Sequence, residues 1–129
     1  MRLLLSLIIF VSTFGVMATP TQEVEAKPSG CYLSVGMPRY SSDGSFLYGT
    51  ATAKCSVARY THVQVCLYSW GQLVNCNERW GTFTTNSVST GCYWSWRPFA
   101  YVQMWGWVYW SDGTTSSAWG EAIYDRRRC

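Results

Sequence analysis

Aromatic side chains dominate the chemistry that this sequence can offer. It carries 8 Trp and 9 Tyr in 129 residues, all of them after Cys31 and concentrated between Tyr93 and Trp119. Within Tyr101 to Trp110 the residue types alternate. Tyr101, Gln103, Trp105, Trp107 and Tyr109 take the odd positions, and Val102, Met104, Gly106, Val108 and Trp110 the even ones. On a β-strand, alternate residues point to opposite faces. Val102, Met104 and Val108 then belong to a core face, and Tyr101, Trp105, Trp107 and Tyr109 form a stripe on the other. Tyr68 and Trp70 fall on the polar side of their own strand in the same sense. The stripe is the candidate ligand-binding site. Trp and Tyr present large, rigid contact areas at low entropic cost and dominate interface hot spots; they also stack on sugar rings. The competing reading is structural: both faces are covered, and Trp serves as bulk in a small domain.

Groups that could do catalysis are scarcer. An enzyme needs a nucleophile with its base, paired carboxylates or a metal centre. The single His is His62, expected on the outer face of a strand. The carboxylates after Cys31 are Asp43, Glu78, Asp112, Glu121 and Asp125. Asp43 and Asp112 each precede a Gly and read as turn residues. There is no Gly-x-Ser-x-Gly nucleophile motif, and no Cys-x-x-Cys accompanies the lone His, which argues against zinc. No catalytic residue, metal ligand or cofactor is therefore expected. The net charge of +3 is too small to imply nucleic acid, and Arg126-Arg127-Arg128 reads as a solvated end.

The six cysteines are Cys31, Cys55, Cys66, Cys76, Cys92 and Cys129. An even number in a small domain argues for three disulfides. Cys31 and Cys55 lie equally far from Asp43, in the Asp43-Gly44 turn. Cys66 and Cys76 lie equally far from Gly71. Cys92 and Cys129 flank the Asp112-Gly113 turn. Residues equidistant from a hairpin turn face one another, near disulfide range. The expected pairing is sequential: 31–55, 66–76 and 92–129, with the short 66–76 span the best defined.

The elements that must position these groups are strands. Helical periodicity is absent after residue 30, while Val, Thr, Tyr and Trp abound between Gly-containing turns. Seven or eight strands are expected: 32–35, 48–55, 61–68, 73–77, 82–89 (polar, an edge strand), 93–96 with a bend at Pro98, 101–110 and 116–124. In the strand 61–68, Val63, Val65 and Leu67 alternate with His62, Gln64, Cys66 and Tyr68. The fold class is all-β: a small disulfide-stapled, two-sheet antiparallel sandwich, with an immunoglobulin-like arrangement open and a small β-barrel as the alternative.

Residues 1–18 read as a signal peptide, with Arg2, an apolar run from Leu3 to Phe14 and small residues before the cut at Ala18. The run is too short for a membrane span. Residues 19–30 read as a disordered leader or short propeptide, with Ala26 as a second cleavage point. A single β domain follows over 31–129. The chain is thus expected to be a secreted, extracellular, monomeric, non-enzymatic binding protein. Its aromatic face would take a protein target, as an inhibitor does, or a surface polysaccharide. The alternative is a secreted toxin or antimicrobial protein acting at membranes.

Overall fold

The computed structural model describes residues 27–96 and 101–129. The leader expected over 1–18, most of the 19–30 segment and the bend at Pro98 lie outside them. Every regular element among the described residues is a strand: β1 (Cys31–Val35), β2 (Arg39–Tyr40), β3 (Phe46–Ser69), β4 (Gln72–Tyr93), β5 (Ser95–Trp96), β6 (Tyr101–Trp110), β7 (Thr115–Trp119), β8 (Ile123–Tyr124) and β9 (Arg127–Arg128). The chain is all-β. Its main body is one antiparallel seven-stranded sheet, and β5 pairs separately with β9.

The two layers of this protein are the two halves of that sheet, curled on itself. The long hairpin β3–β4 runs through both. Strands 48–55 and 61–68, read apart in the sequence, belong to β3, and 73–77 and 82–89 both belong to β4. Between Lys54 and Arg59 the register shifts, so that four residues of β3 face Thr84 alone. Such an insertion bends the strand without ending it. Before the bend β3 pairs with β1 and β2, and after it with β6, while β4 borders it throughout. Buried Asn86 clamps the bend: its amide donates to Thr61 Oγ1 and to Arg79 O, both at 3.0 Å. The sequence segment 116–124 is likewise two strands, β7 and β8, parted at Gly120, whose N–H turns to Met104 O at 2.9 Å.

Alternation decides what lies between the layers. Leu47, Ala51 and Ala53 from the first half meet Val63, Val65, Leu67, Val102, Met104, Val108 and Trp110 from the second, all buried. The layers approach closely enough that a Cβ on Gly106 would strike Val35 and Ala51, and one on Gly49 would strike Met104. Trp110 is fully buried and satisfies its indole N–H on Ser116 Oγ at 2.8 Å, as a buried indole must. The disulfides are Cys31–Cys55, Cys66–Cys76 and Cys92–Cys129, the sequential set that hairpin symmetry gives.

The Asp43 turn carries a pH dependence. Ser41 Oγ, Ser45 Oγ and Ser45 N–H all donate to Asp43 Oδ1, at 2.6, 2.9 and 3.1 Å. These bonds favour the carboxylate and hold its pKa down from 3.8 to about 2. Thr114 lowers the pKa of Asp112 in the same way. A depressed carboxylate stabilises the fold above its unfolded pKa, and that contribution is lost as pH falls through the folded one. The expected result is a loss of hairpin order between pH 4 and 2. An NMR titration of the Asp43 carboxyl with its midpoint at the ordinary value of 3.8 would contradict it.

Candidate functional site

The outer face of the second layer gathers the aromatic residues. Four neighbouring strands line up in rows. His62 of β3 stands between Trp80 of β4 and Tyr109 of β6, and Gln64 between Glu78 and Trp107. Cys66 stands between Cys76 and Trp105. On the far side of β6, Thr115, Ser117 and Trp119 of β7 flank Tyr109, Trp107 and Trp105, and Tyr124 of β8 flanks Tyr101. The intervening residues Val63, Val65, Leu67, Val102, Met104 and Val108 point into the core, so these rows point out.

Of the four residues singled out in the sequence, Tyr101, Trp105 and Trp107 are half-buried and Tyr109 is 40% exposed. None belongs to the core. What covers their flanks is other aromatic rings: Trp70, Trp80 and Trp119 are 56%, 58% and 54% exposed, and Tyr124 is 83%. The rings touch edge to face. His62 sits between Trp80 and Trp107, with centroids at 5.4 and 5.6 Å. Tyr68 meets Trp119 at 5.0 Å, and Tyr101 stacks with Tyr124 at 5.7 Å. Centroid distances of this size are those of attractive ring pairs, so the face is laterally packed as well as exposed.

Polar groups interrupt the rings at fixed points. His62 Nε2 lies 2.9 Å from Glu78 Oε2, and that pair borders Gln64. Gln103 lies beside Tyr68, and its amide donates to Gly120 O at 2.8 Å, which orients its free carbonyl. The face therefore offers apolar ring surface, side-chain amides, an imidazole and one carboxylate. It has the equipment for holding a ligand that is apolar on its faces and polar at its edges.

One end of the face is held in an uncommon conformation. The Ser69–Gln72 hairpin is closed by Trp70 at φ 56° and Gly71 at φ 75°. A two-residue turn with both central residues at positive φ favours Asn-Gly, and a Trp there costs roughly 1–2 kcal/mol. The indole lies 6.3 Å from Tyr101, and Trp70 N–H bonds Tyr101 O at 2.9 Å. Trp70→Asn is expected to raise thermal stability, by up to about 1 kcal/mol, because Asn tolerates this region. A lowered melting temperature would mean that the ring contact outweighs the strain.

Sequence reasoning did not assign Trp80, Trp119 or Tyr124 to this face. A signal existed for Trp80: it and His62 lie equally far from Gly71, the same symmetry that joins Cys66 to Cys76.

No protein-family model matches the chain, and no curated protein matches it. Among solved structures it is similar to a Bordetella pertussis protein assigned as ApaA, at 13% identity over 77% of this chain and 94% of that one, with a TM-score of 0.37. So distant a likeness says nothing of function.

Proposed function

We propose that this protein is a secreted, non-enzymatic binding protein that holds neutral glycan chains on the outer face of its second layer. One observation carries the reading: exposed Trp80 and Trp119 flank half-buried Trp107 and Trp105 across neighbouring strands, with Gln64 and Gln103 on the same face. A pyranose has C–H faces that pack on aromatic rings and equatorial hydroxyls that pair with planar amides. Within the rows the one carboxylate, Glu78, is already engaged by His62 Nε2 at 2.9 Å, and the groups left to meet a ligand are rings and amides. The three disulfides fit an oxidising, extracellular setting, as does the export leader expected over 1–18.

The test is binding to insoluble cellulose, xylan and chitin, with indole fluorescence followed on adding soluble oligomers. The expected result is retention on at least one matrix and a shifted or quenched emission. Failure on all three with unchanged emission sinks the reading.

A further inference from the structure

A second concavity lies on the other side of the β4 edge. It is a groove of about 570 Å³, lined by Phe46 and Tyr48 of β3, by Asn75, Cys76 and Asn77 of the first half of β4, and by Ser89, Thr90 and Gly91 of its second half. That volume is in the range of small-molecule sites. Gly91 faces Tyr48 across the pair, and a Cβ there would lie 2.2 Å from Leu47 O and 2.7 Å from the Phe46 ring. A side chain there would also crowd Tyr48 Cβ, at 2.8 Å. Phe46 and Tyr48 are nearly parallel, at 18° and 6.5 Å between centroids, and Tyr93 closes on Phe46 edge-on at 5.2 Å.

The polar side of the groove is preset. Asn75 Nδ2 donates to Gly91 O at 3.2 Å, and Asn77 Nδ2 to Ser89 O at 3.0 Å. These bonds tie the two halves of β4 together and fix both amides. Each amide nitrogen has a second N–H to give. Among the described residues that line the groove none is charged. Its chemistry, aromatic rings beside oriented amides, repeats that of the aromatic face.

The two are joined. Cys76 and Asn77 line the groove, and they also line a smaller hollow of about 270 Å³ with Gln64 and Glu78 of the aromatic face. We infer that the groove is a second subsite for the same neutral glycan chain, which runs from Trp107 and Gln64 over the Cys66–Cys76 disulfide to Asn75 and Tyr48. The inference rests on the glycan reading of the aromatic face and goes beyond it: the ligand is a polymer, and affinity grows with chain length.

The experiment compares cellobiose with cellohexaose, and chitobiose with chitohexaose, by calorimetry and by amide and indole NMR shifts. For the intact protein the hexamer is expected to bind at least about tenfold more tightly than the dimer, which is worth about 1.4 kcal/mol. The Asn75 side-chain amide should shift only with the hexamer. Asn75→Ala and Tyr48→Ala should each erase most of the length advantage and leave dimer affinity within twofold. Equal affinity for both lengths, or an undiminished advantage in both variants, overturns the second subsite while leaving the aromatic face standing. Absence of binding at every length overturns both.

Discussion

Replacing Trp80 and Trp107 together with alanine is expected to weaken oligosaccharide binding by about a hundredfold, with the protein still folded. The two indoles flank His62, and Trp107 stands beside Gln64 in its row. Truncating an anchor ring in such a site costs roughly 2 kcal/mol or more, and a hundredfold is about 2.8 kcal/mol. Trp80 is 58% exposed, so its loss leaves no cavity. Trp107 is half-buried, and its removal should lower stability by about 1 kcal/mol, visible as a modest fall in melting temperature. Tyr32→Ala is the control. Tyr32 lies on β1, facing Lys54 in the other layer, and its loss should not change affinity. Calorimetry against the hexamer that binds best reads all three. An unchanged affinity in the Trp variant, or an equal loss in the Tyr32 variant, would remove the aromatic face as the site.

The part of this arrangement legible in the sequence is the part governed by period two. The alternation in 101–110 and in 61–68 assigns Val102, Met104, Val108, Val63, Val65 and Leu67 to the core, where all six are buried. The disulfides were legible for a related reason, since facing positions in a hairpin are fixed by distance from its turn. The bend was not. Cys55-Ser56-Val57-Ala58 contains neither Gly nor Pro, and nothing local distinguishes a strand that bends from two strands joined by a loop. The choice is made by tertiary packing, because bending lets Ala51 and Ala53 reach the β6 side of the core.

That same bend explains which residues of the candidate site spacing alone does not reveal. The groove joins Asn75 to Gly91, two residues of one strand, and only a β4 that follows the curl of β3 brings them together. Trp119 reaches the face through its register with Trp105, which depends on the β6–β7 turn. Residues on a single strand declare themselves by spacing; a surface assembled from four strands depends on three registers at once.

Reduction of all three disulfides is expected to unfold the domain at 37 °C, and the bridges should rank by the loops they close. The sequence separations are 10 for Cys66–Cys76, 24 for Cys31–Cys55 and 37 for Cys92–Cys129. In the chain-entropy model these contribute about 2.7, 3.5 and 3.8 kcal/mol at 25 °C. Their sum, about 10 kcal/mol, matches the whole net stability of a typical domain, about 5–15 kcal/mol. The local structure sharpens the ranking. Cys66–Cys76 lies within the β3–β4 hairpin, whose pairing continues on both sides of it, so alanine at both positions should leave a folded protein. Cys92–Cys129 ties the chain end to the close of β4, where β5 and β9 share only two residue pairs. Without it the segment beyond Asp125, whose carboxylate accepts from Tyr40 Oη at 2.7 Å, loses its covalent tie. Calorimetric melting of the paired alanine variants should therefore give the larger fall for Cys92 and Cys129. For a domain of this size each 1 kcal/mol lowers the midpoint by about 4–8 °C, so a difference of about 1 kcal/mol is measurable. A larger fall for Cys66 and Cys76 would mean that their bridge, beside Trp105 in the sheet, supports the aromatic face more than loop length alone requires.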